Sequence, residues 1–253
     1  MLRGMYTAAA GMNAVQMATD TLANNLANVS TTGFKTRRVQ YQAFPEMLLN
    51  RLGTENSNEV GKINSGVQVS STPVQFSQGT LRQTGNNLDV ALEGDGLLEV
   101  QLGDGTKAYT RVGSLTLDAN KTLVTTEGYT VMGEGDVPIV LPTGSANLTI
   151  YPDGGISNDA GESLGVIKRV RFKNSQAFTN LGDSLFTSQE VPETLTGGQG
   201  AQLVQGYLEQ SNTNVVSEMM QSMMGLRLYE SLQKSITSQS QTLEKAVTEV
   251  GRI

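Results

Sequence analysis

The chain has 253 residues and a formal net charge of −6, with no cysteine, histidine or tryptophan. The missing Cys and His exclude disulfide staples, the common zinc and copper ligand sets, His-dependent triads and Cys nucleophiles. An acidic chain lacks the basic footprint that phosphate binding needs, so nucleic acid is not an expected partner.

The first predicted element is a helix over residues 1–30. Met5, Ala8, Met12, Val15, Thr19, Leu22, Leu26 and Val29 follow a 3-4 spacing, and all but Thr19 are apolar. An apolar repeat of about 3.5 residues marks a helix that packs along another helix. Gly33 is the expected stop, because glycine adopts the left-handed conformation that ends helices. Thr7, Gly11, Asn13 and Gln16 interrupt the apolar run behind Arg3. No cleavable signal peptide is therefore expected, and departure from the cytoplasm needs another route. Phe44-Pro45-Glu46-Met47-Leu48-Leu49 predicts the start of a short helix, with proline in its first turn. Residues 52–66 are polar and read as an extended arm or loop.

Residues 67–208 read as β structure. All glycines except Gly4, Gly11, Gly225 and Gly251 lie between Gly33 and Gly206, and every proline lies between Pro45 and Pro192. Such punctuation means short strands and tight turns. Gly94-Asp95-Gly96 and Gly103-Asp104-Gly105 are read as hairpin turns, since neither carries the flanking residues of a phosphate or calcium loop. Lys168, Arg169, Arg171 and Lys173 are read as a strand with a solvated charged edge.

The last predicted helix runs from about Asn214, a good N-cap, to about Val250. Its 3-4 series is Met219, Ser222, Leu226, Tyr229, Gln233, Ile236, Ser240, Leu243, Val247 and Val250. Met219, Met220, Met223, Met224, Leu228 and Leu232 widen the apolar surface beyond one seam, which suits contact with several partners. No run approaches the ~20 apolar residues of a membrane span. The expected class is α+β: long N- and C-terminal helices packing in a coiled-coil-like bundle, with an intervening all-β domain of short strands. The expected divisions are an assembly helix at 1–33, an arm at 34–66, a β-rich outer domain at 67–208 and an assembly helix at 209–253. No convergent catalytic, cofactor-binding or metal-binding set is found, so neither an enzyme nor a cofactor is expected.

Ala23-Asn24-Asn25-Leu26-Ala27-Asn28-Val29-Ser30-Thr31-Thr32-Gly33-Phe34-Lys35 closely resembles the N-terminal signature of bacterial flagellar axial proteins, the rod and hook family. Leu88-Asp89-Val90-Ala91-Leu92, Tyr109-Thr110-Arg111-Val112-Gly113-Ser114 and Gly206-Tyr207-Leu208-Glu209-Gln210-Ser211-Asn212-Thr213-Asn214-Val215 are similar to further motifs of that family. The resemblance spans nearly the whole chain and looks most like a distal-rod protein or a close rod paralogue. It implies a basal-body subunit that polymerises helically into a drive shaft through its terminal helices. It also implies export through the flagellar type III apparatus without a cleaved signal, and partners that are copies of itself and other rod or hook proteins.

The candidate assembly residues are Met5, Met12, Val15, Leu22, Asn24, Asn25, Leu26, Asn28, Val29, Gly33 and Phe34 at the N-terminal end. At the C-terminal end they are Met219, Met223, Leu226, Tyr229, Ile236, Leu243, Val247 and Val250. The termini are expected to be largely disordered in the free subunit and to order on assembly. Competing readings are a hook subunit of the same family, a self-contained β binding module on a stalk of paired helices, and a carboxylate- or Lys-based enzyme.

Overall fold

The computed structural model describes residues 2–44, 47–50, 59–63, 66–142, 148–158, 160–173, 178–197 and 200–251. Two long helices stand at the ends of the sequence: α1, Leu2–Ala27, and α2, Val215–Val250. Among the described residues, every regular element between them is a strand. The chain divides into two compact units. One comprises Met1–Leu26, Arg37–Pro73 and Val215–Ile253, and the other Ala27–Thr36 and Val74–Asn214.

The second unit is a β body. Its largest sheet is antiparallel and has nine strands among the described residues. The central strand Leu97–Gln101 pairs with Lys107–Thr110, Thr130–Val131 and Arg169–Arg171. A sheet of Leu148–Ile150, Gly155–Asn158 and Ser163–Val166 lies apart from it. Two further pairs join Val90–Glu93 to Gln202–Gln205 and Leu81–Gln83 to Tyr207–Glu209. Successive strand residues point to opposite faces, and Leu97–Gln101 uses both. Leu98 and Val100 enter the main core with Leu92, Leu123, Ile156, Ile167 and Leu203. Leu97 enters a second core with Tyr109, Val170 and Phe186, against which Phe76, Phe172 and Phe178 pack. Those rings meet tilted or edge-on at 4.7–6.1 Å, the arrangement aromatic quadrupoles favour.

The turn at Gly103-Asp104-Gly105 closes a hairpin, with the Gly105 N–H donating to Leu102 O and Gly105 at φ 85°. Gly94-Asp95-Gly96 does not close one, because the strands on its two sides belong to different sheets. Its carbonyls are instead taken by a buried arginine described below. The basic strand also differs from expectation. Arg169 is buried, and its guanidinium donates to the carbonyls of Pro152, Asp153, Gly197 and Ala201. Arg169–Arg171 is flanked on both sides by strands, so it is no solvated edge. Burial pushes the Arg169 pKa down.

In the first unit, Gln40–Ala43 pairs with Val67–Ser71. The expected short helix after Phe44 is replaced by the strand Met47–Asn50, paired with Glu59–Ile63. Pro45, Glu46 and part of the predicted arm (51–58, 64 and 65) lie outside the described residues. Cross-strand pairing overrides the weak helical preference of Met47-Leu48-Leu49.

The coiled-coil-like bundle is corrected. α1 and α2 do meet: Gln239 lies against Gly4, Leu232 against Gly11, and Thr19 and Val15 against Gly225. Asn25 Nδ2 donates to Glu218 Oε2 at 3.2 Å. Each of the close approaches is at a glycine, and the side chains that meet there are a mixture of polar (Gln239, Thr19) and apolar (Leu232, Val15). In α1 only Ala8, Ala14, Val15 and Asn25 are buried, and no described residue of α2 is. Knobs-into-holes packing requires the seam side chains to be enclosed by the facing helix. Here Met219, Met223, Leu226 and Val247 of the predicted seam are exposed. At alternate positions the half-buried residue is the one before the predicted seam residue: Glu218, Gly225, Leu232 and Gln239. Gly225 explains part of this shift. A Cβ there would come within 3.1 Å of Thr19 Oγ1, so closest approach occurs where the side chain is smallest.

Candidate functional site

α1 ends at Ala27, a few residues before the expected stop. Asn28, Ser30, Thr31 and Thr32 offer side-chain hydrogen bonds that compete with the helix, and Thr31 Oγ1 donates to Asn28 Oδ1 at 3.2 Å. Gly33 then takes φ 69°. A Cβ on Gly33 would stand 2.7 Å from the backbone of Arg111 and Val112, so both conformation and space demand glycine. Its N–H donates to Glu209 O at 2.8 Å.

The next residues enter a buried ion network within the β body. Lys35 Nζ donates to Glu209 Oε1 at 2.7 Å and to Ser77 O at 2.8 Å. Glu209 Oε1 also accepts the Gly79 N–H at 2.7 Å. Arg111 Nε donates to Glu209 Oε2 at 2.6 Å. The remaining guanidinium nitrogens of Arg111 reach the carbonyls of Gly96, Gly94 and Leu92. Lys35, Arg111 and Glu209 are all buried. Burial pushes the Lys35 pKa down, and the Glu209 carboxylate opposes that shift. Three charges without water persist because each is paired and hydrogen-bonded.

Asn212 completes the junction. Its Oδ1 accepts the Thr36 N–H at 2.8 Å, while Nδ2 donates to Gln75 O at 2.9 Å and Ser77 O at 3.1 Å. The Gln75 N–H donates to Thr36 O at 2.8 Å. Segments 33–36, 75–79 and 209–212 are therefore tied together beside the points where the chain leaves the body. In the other unit Asn25 does comparable work. Its Oδ1 accepts the Arg37 N–H at 3.0 Å and its Nδ2 donates to Arg37 O at 2.9 Å.

The second element of the site is the outer face of α2. Met219 is 48% exposed, Met220 52%, Met223 55%, Met224 69%, Leu226 54% and Leu228 51%. No charged residue occurs between Glu218 and Arg227. Large side chains concentrated in this way mark an interaction surface, since scattered exposed hydrophobics would need no such explanation. An open groove in the same unit is lined by Val15, Leu22, Arg37, Tyr41 and Leu228, among others.

The sequence-derived assembly residues fall into distinct environments. Met219, Met223, Leu226, Val247 and Asn24 are exposed; Met5, Met12, Leu22, Leu26, Asn28, Val29, Tyr229, Ile236 and Leu243 are half-buried. Val15, Asn25, Gly33 and Phe34 are buried within the chain itself. The side chain of Val250 lies outside the described residues. Sequence reasoning missed the Lys35–Glu209–Arg111 network and the bridging by Asn212. Each of these residues sits inside one of the quoted motif stretches, and that was the available signal. Among the described residues no group of His, Cys, Asp and Glu is placed to hold a metal ion, and no helix is long and apolar enough to cross a membrane.

An internally pinned β body and, in the other unit, a long helix α2 with an apolar face uncovered among the described residues are features of a structural protein. Three family models match the chain. The flagella basal body rod protein model matches residues 5–35, the flagellar hook protein FlgE/F/G D1 domain 91–158, and the flagellar basal body rod FlgEFG protein C-terminal model 204–249. Among relatives, the flagellar basal-body rod protein FlgG of Borreliella burgdorferi is 37% identical over 264 residues, covering 96% of this chain and 97% of its own. FlgG of Buchnera aphidicola subsp. Schizaphis graminum is 35% identical over 260 residues, covering 97% and 98%. FlgG of Bacillus subtilis is 32% identical over 265 residues, covering 98% of each. The chain belongs to the flagellar basal-body rod protein family and is a structural subunit of the flagellar rod.

Proposed function

We propose that the subunit assembles with copies of itself and with other rod or hook proteins through the outward faces of α1 and α2, and that the resulting helical polymer transmits torque. The observation that carries this reading is the apolar face from Met219 to Leu228, which the chain leaves uncovered. Covering it in an assembly removes apolar area from water at about 25 cal/mol per Å². A head-to-tail contact that does not close on itself generates a helix, as a shaft requires. The candidate assembly residues exposed on these helices, Asn24, Met219, Met223, Leu226 and Val247, make the contacts between subunits. Gly33 and Phe34 act from inside the β body, and Asn25 from inside the other unit, where it holds the Arg37 backbone.

The relatives' names favour a rod subunit of the FlgG type. The subunit is proposed to reach the basal body through the flagellar export apparatus, without a cleaved signal. Its role is mechanical, with no reaction and no cofactor.

Leu226→Asp tests the reading. The substitution sits on an exposed face, so the thermal midpoint of the β body should not move. Incorporation into the rod, read by fractionating basal bodies and by motility, should be lost. Normal incorporation of the variant would remove α2's outer face from the interface.

A further inference from the structure

With no cysteine and no tryptophan in the chain, methionine thioethers are its most readily oxidised groups. They are unequally placed. Met132 is 3% exposed inside the β body and Met17 stands alone at 44% on α1, whereas Met219, Met220, Met223 and Met224 are about half exposed or more and clustered on α2. Met219 and Met223 are four residues apart, as are Met220 and Met224, so each pair shares a helix face one turn apart. The four thioethers are gathered on a single patch between Glu218 and Arg227, a stretch without charge.

We propose that Met219, Met220, Met223 and Met224 form an oxidation site at which peroxide switches off the apolar face of α2. A sulfur lone pair attacks one oxygen of hydrogen peroxide. An S–O bond forms as the O–O bond breaks, and the departing hydroxide takes up the remaining proton and leaves as water. Each sulfur loses two electrons and the peroxide is reduced by two. The product is a methionine sulfoxide, a polar side chain with a strong acceptor oxygen where a flexible apolar one stood. Burying that oxygen against another subunit's apolar surface leaves an acceptor without a donor. Oxidation therefore disables subunits that have not yet been incorporated, while assembled ones have the patch covered. The loss of docking rests on the assembly reading above; the selective oxidation does not.

The purified full-length chain is exposed to limiting hydrogen peroxide, and sulfoxide formation at each methionine is followed by peptide mass spectrometry. The four α2 methionines should oxidise at least about tenfold faster than Met132, with the rates converging in denaturant, where Met132 is no longer buried. Equal rates in the folded chain would overturn the site. Self-association is then measured by sedimentation before and after peroxide, for the wild type and for a variant carrying Met219→Leu, Met220→Leu, Met223→Leu and Met224→Leu. Wild-type association should weaken by about tenfold or more on oxidation, the cost of an unpaired buried acceptor, and the leucine variant should be unaffected by peroxide. An equal loss in the leucine variant would overturn the switch. If neither protein associates before oxidation, self-association through this face and the peroxide switch on it are both overturned, whatever the oxidation rates.

Discussion

Lys35 and Glu209 have no water contact in their side chains, and Arg111 almost none. Removing one member of such a group leaves charge stranded. Lys35→Met should destabilise the β body by about 3 kcal/mol in equilibrium urea unfolding, the low end of the range for a broken buried pair, because Arg111 still faces Glu209. A loss below about 1 kcal/mol would mean that Arg111 alone satisfies the carboxylate. The exposed ionic cluster behaves differently. Asp136 accepts hydrogen bonds from Lys107 at 2.6 Å and from Lys168, which lower its pKa from 3.8 to about 2. Both lysines also ion-pair with buried Glu99, at 3.1 and 2.9 Å. The folded chain thus holds the Asp136 proton less tightly than the unfolded chain does. The resulting stability is present above pH 3.8 and is lost as pH falls through about 2. In acid titrations of unfolding, Asp136→Asn should flatten that part of the profile and lower the stability above pH 3.8 by the same modest amount, since a half-exposed carboxylate contributes little, while the two proteins converge below about pH 2.

At the scale of elements, the end of α1 shows how a local signal acquires tertiary meaning. Gly33 reads in the sequence as a helix stop, and its positive φ agrees with that. Yet the helix has already ended at Ala27, and Gly33 is needed because the backbone of Arg111 presses against it. Gly33→Ala should therefore cost about 1–3 kcal/mol of body stability, from left-handed strain together with displaced backbone. Calorimetry of the full chain would show the loss, and an unchanged midpoint would mean that the 28–36 turn relaxes freely. The α2 seam carries the complementary lesson. The apolar 3-4 series places a helix over the right stretch, but the face turned toward α1 is set by where Gly225, Gly4 and Gly11 allow approach. Periodicity reports which residues are apolar; the smallest side chains decide how two helices come together.

For the whole molecule, the two units differ in how much they bury. The β body contains both hydrophobic cores, whereas α2 buries no described residue. Isolated helices draw most of their stability from packing rather than from propensity. Hydrogen exchange on the free subunit should be fast across α1 and α2 and slow through Gly33–Thr36 and the cored strands of the body, where the ion network and both cores lie. Strong protection of both helices in the monomer would show that they already satisfy each other, and the proposed folding on assembly would be withdrawn.

The sequence by itself determined the alternation of helical ends and stranded middle, the family, and the absence of Cys and His chemistry. The first follows from local periodicity and from glycine and proline punctuation, the family from the resemblance of whole motif stretches, and the last from composition; none of these depends on what lies across the fold. Only the tertiary structure decided that Arg169 is buried, that Gly94-Asp95-Gly96 is held by Arg111 rather than closing a hairpin, and that Met47–Asn50 is a strand. The same holds for the Lys35–Glu209 contact, which joins residues 174 apart, and for Arg111–Glu209, which joins residues 98 apart. Charge pairing over such separations depends on which backbones the sheets bring side by side, and no local pattern encodes it.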